Sequence, residues 1–215
     1  MQGAYEFRIN ESIVSYLNGV YPLQPWAKNL IGDEGKVERI ISGRVFSQNI
    51  VNAPARIEHI IQELSYVGFG PEKYLVDLGV GDGRVLAVGH LMGGKVGGPE
   101  KMEEHAAVAF QKFDELRARG ISTPPYDSID VGKDIMEYDI MRADVVWAYM
   151  MADKQPEVVE RFYAFAKPDA KLIIYHPSKE CYKKVLQISD GVPFEGSIHD
   201  NTMIMNRSTW KPDKK

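Results

Sequence analysis

Tyr74-Leu75-Val76-Asp77-Leu78-Gly79-Val80-Gly81-Asp82-Gly83-Arg84 is the stretch on which the reading of this chain turns. Leu75, Val76 and Leu78 around Asp77 predict a buried strand, and the run Val85-Leu86-Ala87-Val88 predicts a helix. Three glycines at alternate positions join them. Strand, glycine turn and helix N-terminus are how α/β folds bring backbone N–H groups against a nucleotide-like ligand. A side chain at Gly79 or Gly81 would push that ligand away, and only glycine adopts positive φ freely. The dinucleotide fingerprint is G-x-G-x-x-G. Here the spacing is G-x-G-x-G, with an acid two residues before the first glycine.

On either side the pattern is regular. Upstream, Ile57, Ile60, Ile61 and Leu64 share one helix face, Pro54 suits the first turn, and Gly68, Gly70 and Pro71 end the helix. Downstream, a helix is expected over 84–91, then a poor second strand around Val96, flanked by glycines. Met102, Ala106, Ala109, Phe110 and Phe113 mark an amphipathic helix closed by Gly120. Strands are expected near Ile129 and Val131, at 145–149 and at 171–175, with a helix over 156–166. A short helix and two closing strands, at 185–188 and 202–206, complete the pattern. Alternating strands and helices specify a Rossmann-like, doubly wound α/β sheet.

Residues 1–50 have another texture. Tyr5, Phe7, Tyr16, Tyr21 and Trp26 are interspersed with polar residues, Pro22 and Pro25. A helix over 10–17, capped by Asn10 or Ser12, and another over 34–41 are expected. This N-terminal extension is either an irregular arm packed on the domain or a cap over a substrate cleft. Residues 51–210 are expected to form the main domain, followed by a short basic tail at 211–215.

The 215 residues suffice to bury a substantial core, and the 44% hydrophobic and 26% charged content is ordinary for a globular protein. A net charge of −4 argues against general nucleic-acid binding. The single cysteine, Cys181, excludes an intramolecular disulfide and points to a reducing, cytoplasmic setting. Neither a signal peptide nor a long apolar span is visible, so no membrane insertion is expected. No metal-ligand cluster is expected either.

In a doubly wound sheet, ligands sit beyond the carboxyl ends of the strands. Glu100 lies about 20 residues beyond the first glycine, the interval of an acid that grips a ribose. It could equally open the next helix, where an acid favours the dipole. Asp134 has a carboxylate suited to an adenine amino group, with Ile135 to cover the ring. Asp134 and Glu137 also have capping-box spacing. Asp77, an acid on a buried strand, is costly unless paired, which points to orienting the turn or a ligand's amino group. Asp82 and Arg84 equally suit a surface pair on the following helix.

With these residues in place, further stretches join the pattern: Ala143-Asp-Val-Val-Trp-Ala-Tyr149 and Phe165-Ala-Lys-Pro-Asp169-Ala-Lys-Leu-Ile-Ile-Tyr-His176. Together they resemble the ordered motifs of class I S-adenosylmethionine-dependent methyltransferases, over roughly residues 51–208. The resemblance implies a seven-stranded sheet with an antiparallel last strand, S-adenosylmethionine as cofactor and S-adenosylhomocysteine as product. It implies that Gly79, Val80, Gly81, Asp82 and Gly83 lie against the methionine portion, Glu100 and Lys101 against the ribose, and Asp134 and Ile135 against adenine. It puts Tyr149 beside the reacting methyl group. Within the class the chain looks most similar to small archaeal-type protein-lysine methyltransferases, which share the Asp-Leu-Gly-x-Gly-Asp-Gly-Arg turn and a histidine after the fifth strand. The [D/N]-P-P-[Y/F] signature of enzymes acting on planar amino groups is absent, since the fourth strand runs Ala148-Tyr149-Met150-Met151.

Transfer from a sulfonium is an in-line displacement with an activated donor, so alignment and exclusion of water can supply much of the rate. Tyr149 and His176 are the candidates to receive or orient the acceptor. Each also has a structural reading, as a core aromatic and as a strand-end histidine before Pro177. The expected function is methyl transfer, with protein lysine as acceptor. The alternatives are a small-molecule acceptor, or a nucleotide- or cofactor-binding module without catalysis.

Overall fold

A computed structural model describes residues 10–22, 55–150, 152–188 and 202–209. The expected helix over 34–41, Pro54 and the basic tail lie outside the described residues. The elements run α1 (Glu11–Val20), α2 (Ile57–Tyr66), β1 (Tyr74–Leu78), α3 (Arg84–Leu91), β2 (Lys95–Glu100), α4 (Glu103–Arg117) and β3 (Ile129–Val131). There follow β4 (Val145–Ala148), α5 (Gln155–Phe165), β5 (Lys171–Tyr175), α6 (Lys179–Ile188) and β6 (Thr202–Asn206).

Among the described residues the sheet has six strands in the order β3-β2-β1-β4-β5-β6, with β6 alone antiparallel. The expected strand at 185–188 is the end of α6, in which Cys181 and Val185 are buried one turn apart while Leu186 is exposed. The chain winds leftward from β1 and later rightward through β4, so β1 and β4 part at a switch point. Asp77 and Trp147 are register partners there, followed by Leu78 and Ala148. This is where such sheets open a ligand crevice.

Period-2 alternation splits the buried residues between two faces. Leu75, Val145, Trp147, Ile173 and Tyr175 face α1 to α4, whereas Val76, Val146, Leu172 and Ile174 face α5 and α6. Asp77 follows Leu75 in phase and so looks toward the α1–α4 side. The N-terminal helix joins this layer. Asn10 caps it by accepting from the Ser12 amide at 3.0 Å, and Leu17, Val20 and Tyr21 are buried in the same cluster as Ile57 and Leu86.

β2 is a full strand despite its glycines, because its neighbours leave no room for side chains. A Cβ at Gly98 would overlap the Asp77 carbonyl oxygen, and one at Gly97 would come within 2.8 Å of the Tyr74 hydroxyl. Pro99, near the strand's end, lacks an N–H, but its carbonyl is used by the glycine turn.

Candidate functional site

The turn after β1 holds Gly79, Gly81 and Gly83 at φ of 93°, 57° and 81°, all in the left-handed region. The glycines serve different ends. A Cβ at Gly79 would meet no protein atom, so this position opens onto the crevice, whereas one at Gly83 would strike Phe113 at 2.9 Å. Gly83 therefore lets α3 start against α4; Gly79 leaves space for a ligand.

Four of the turn's five amides, all but that of Asp82, donate within the protein, unlike the sequence expectation. Gly79 and Val80 donate to the Pro99 carbonyl at 3.2 Å, Gly81 donates to Glu100 Oε2 at 2.8 Å, and Gly83 donates to the Val80 carbonyl at 3.0 Å. The other Glu100 oxygen accepts from the Met102 amide at 2.9 Å. Glu100, 5% exposed, thus ties the turn to the start of α4. Each of its oxygens keeps a further lone pair for an incoming hydroxyl.

Beyond the turn lies a cavity of about 320 Å³. Of the residues expected at the site, Asp77, Gly79, Val80, Gly81, Asp82 and Tyr149 line it, joined by Trp147, His105 and Lys112. A further wall comes from the end of α1, through Val20, Tyr21 and Pro22. Gly83, Glu100, Lys101, Asp134, Ile135 and His176 are not part of the wall, although Glu100 grips the turn from behind.

The electrostatics of the cavity are distinctive. Asp77 is 3% exposed, and its carboxyl accepts no hydrogen bond from the described residues. Burial first, then the neighbouring Glu100 and Asp82 carboxylates, push its carboxyl well above the usual range. Asp82 and Arg84 form a largely buried pair rather than a surface one. Arg84 Nε donates to both Asp82 oxygens at 3.0 Å, and Nη2 donates to Oδ2 at 2.5 Å. Arg84 Nη1 donates to the Ala55 carbonyl at 2.8 Å, which holds the guanidinium under the chain entering α2.

Trp147 and Tyr149 supply the aromatic side. Trp147 stacks near Tyr175 with ring centroids 6.2 Å apart, and Tyr149 meets Tyr175 edge-on at 5.3 Å. His59 Nδ1 lies 2.9 Å from the Tyr175 hydroxyl and fixes that ring from α2. Burial, then Tyr175, raise the Tyr149 hydroxyl above its ordinary value, so at neutral pH it is a neutral phenol. His176 flanks Tyr149 at 5.7 Å, and partial burial followed by His59 lowers its imidazole below the usual value, so it is neutral there too. Farther along the strand ends, Lys101 Nζ meets Asp134 Oδ2 at 3.0 Å, and Asp134 Oδ1 accepts from the Met136 amide at 2.9 Å. That amide first, and Lys101 second, hold the Asp134 carboxyl below the usual range. Asp134 opens a turn here, not a helix.

No known family profile and no curated protein matches the chain. Solved structures do. An RNA methyltransferase from Salinibacter ruber, in complex with S-adenosyl-L-homocysteine, matches with a TM-score of 0.57 at 17% identity, over 74% of this chain and 97% of its own. A ribosomal protein L11 methylase from Lactobacillus delbrueckii subsp. bulgaricus gives 0.54 at 14% identity, over 69% and 77%. Cofactor-bound Rv0187 from MTB gives 0.54 at 12% identity, over 94% and 99%. The likeness is one of fold. The chain has the mixed α/β architecture of known methyltransferases.

Among the wall residues that the sequence does not mark as site residues are Tyr21, His105 and Lys112. His105 and Lys112 sit seven apart on α4, a helix read only for its apolar face. Tyr21 stood in an aromatic-rich stretch with no spacing to tie it to the turn. Its position came from tertiary packing.

Proposed function

We propose that the cavity binds S-adenosylmethionine and that the protein is a methyltransferase. One observation carries this reading: a buried, unpartnered carboxyl, Asp77, faces a cavity whose turn commits the Gly79, Val80, Gly81 and Gly83 amides to the protein. A dinucleotide needs free N–H groups for its pyrophosphate, and three neighbouring acids would repel that group. A cationic ligand instead relieves the repulsion and returns a partner to Asp77.

The residues present fit such a donor. Asp77 would take its ammonium group, Gly79 would give its chain room, and the free lone pairs of Glu100 would take its ribose hydroxyls. Asp134, Ile135 and Lys101 lie outside the cavity wall, and only the sequence resemblance supports assigning them to the purine side. When bound, the donor supplies a methyl group already activated on a sulfonium. The chain's own contribution is alignment and exclusion of water. Trp147 and Tyr149 wall the end of β4, and the neutral Tyr149 hydroxyl can orient an acceptor nitrogen or oxygen by hydrogen bonding. His176, adjacent to Tyr149 but outside the cavity wall, can position that ring; its lowered pKa makes it too weak a base to hold the acceptor's proton, which leaves to solvent.

For the acceptor, the sequence resemblance supports a lysine side chain of a protein. The α1 wall favours a second reading, a small molecule enclosed in the cavity, because Val20 and Tyr21 close the crevice on a side that a protein substrate would have to approach. Calorimetry with S-adenosylhomocysteine and NAD tests the donor: binding of the first without the second is expected, and preference for NAD ends the reading. Labelled donor incubated with the protein and cell extract tests the acceptor, through label entering protein or small molecules.

A further inference from the structure

Tyr175 is not part of the cavity wall, yet it organises two residues that are, Trp147 and Tyr149. Its ring lies 21° from parallel to that of Trp147, with centroids 6.2 Å apart, and meets Tyr149 edge-on at 82° and 5.3 Å. His176 meets it edge-on as well, at 81° and 4.6 Å. Aromatic pairs hold such angles through the quadrupoles of their rings, so a tilt of the central ring passes to its neighbours. Ring contacts alone are soft in direction. A hydrogen bond at the far end of the phenol fixes the ring's long axis.

That bond comes from α2, which contributes no residue to the wall. His59 Nδ1 lies 2.9 Å from the Tyr175 hydroxyl. The two rings are tilted by 48° with centroids 6.3 Å apart, so they meet through the hydroxyl rather than by stacking. Burial pushes that hydroxyl up to about 12, with Arg56 offsetting part of the shift and Glu63 adding to it. At neutral pH it is a neutral phenol, able to donate to the imidazole or to accept from it. Tyr175 is buried. A phenylalanine would make the same ring contacts without burying an oxygen that must then be partnered. What the hydroxyl adds is direction, and the ring it directs ends against the cavity's aromatic side.

We infer that His59 is a positioning residue for the transfer step: acting through the Tyr175 hydroxyl, it sets the orientation of Trp147 and Tyr149 against which the methyl acceptor is aligned. The inference rests on the proposed methyltransferase reading. It makes α2, a helix outside the cavity, part of the machinery that aligns the acceptor, while the donor keeps its own contacts at the glycine turn.

Trp147 is its own probe. The other tryptophans are Trp26 and Trp210, and replacing both by phenylalanine in the full chain leaves Trp147 as the sole indole. In that background His59→Leu should add a fast component to the anisotropy decay of Trp147 emission, because the released ring gains motion. His59→Asn, whose amide reaches the place of Nδ1, should restore the wild-type decay. Tyr175→Phe removes the same bond and keeps the ring, so it should match His59→Leu, and the double variant should match either alone. Transfer of label from S-adenosylmethionine into cell extract should fall roughly ten- to a hundredfold in His59→Leu. Its affinity for S-adenosylhomocysteine, by calorimetry, should stay within about twofold of wild type. A Trp147 decay unchanged by His59→Leu overturns the inference. So do additive losses in the double variant, or a loss of donor affinity as large as the loss of transfer. Wild type that binds no S-adenosylhomocysteine overturns the donor reading together with this inference, whereas the earlier failures with donor binding intact overturn this inference alone.

Discussion

Asp77 shows how far a single residue can be read from its neighbours in sequence. An acid inside an apolar strand, two positions before a glycine turn, already signals an unusual environment. What that sequence could not supply was the company of Glu100 and Asp82, brought in by the register of β2 and by the turn itself. Folding raises the Asp77 pKa. Above its unfolded value of 3.8 the native state holds a proton that the unfolded chain has released, so stability falls as pH rises through the window up to the raised value. Asp77→Asn should therefore stabilise the ligand-free protein at neutral pH by on the order of 1 kcal/mol, roughly 2–4 °C, with a smaller gain in acid. The same variant should bind S-adenosylhomocysteine at least about tenfold more weakly. Thermal melts across pH, paired with titrations, read both effects; a variant that is no more stable than wild type at pH 7 would contradict them. Glu100 and Asp134 differ in a way that the sequence did not separate. Glu100 holds two amides from behind the turn, whereas Asp134 pairs with an exposed lysine. Glu100→Ala should weaken the same ligand by about tenfold or more, and Asp134→Ala by less. Equal titration curves for Glu100→Ala and wild type would refute the assignment.

Elements were legible where a pattern was long, and misread where it was short or sterically enforced. The helix from Arg84 and the strands at 171–175 and 202–206 fall where periodicity and apolar runs put them. Residues 185–188 were misread because a brief apolar run fits strand and helix alike; burial of Cys181 and Val185 at helical spacing decides for α6. β2 was underrated for a different reason. Its glycines look like weak strand formers, but Gly97 and Gly98 are there because β1 and the Tyr74 hydroxyl press against them. Gly98→Ala should consequently force β1 and β2 apart and cost about 1–3 kcal/mol or more. Denaturant melts give that cost directly, and a loss below about 0.5 kcal/mol would show that β2 has slack. The spacing of Asp82 and Arg84 suits a surface pair as well as a site, because spacing alone does not reveal that Tyr21 and Ala55 pack on Arg84.

The whole molecule places a cavity lined by Asp77, Asp82, Arg84 and Lys112 at the switch point of a sheet whose two faces are separately packed. The strand ends contribute Asp77 and Trp147, the turn contributes space at Gly79, and the α1 end closes the side. Overall charge said little about this, since −4 spread over 215 residues does not locate two acids in one cavity wall with a third behind the turn. No helix among the described residues is long and apolar enough to cross a membrane. In the proposed function, the preference for a cationic donor comes from the Asp77, Asp82 and Glu100 carboxyls, set against Arg84 and Lys112 in the same wall. The most direct measurement is a crystal structure of the protein grown with saturating S-adenosylhomocysteine. The expected density has the ligand's amino group within hydrogen-bond reach of the Asp77 carboxylate and its chain crossing Gly79. Density elsewhere, or a crevice beyond Leu78 that stays empty, would contradict the donor site.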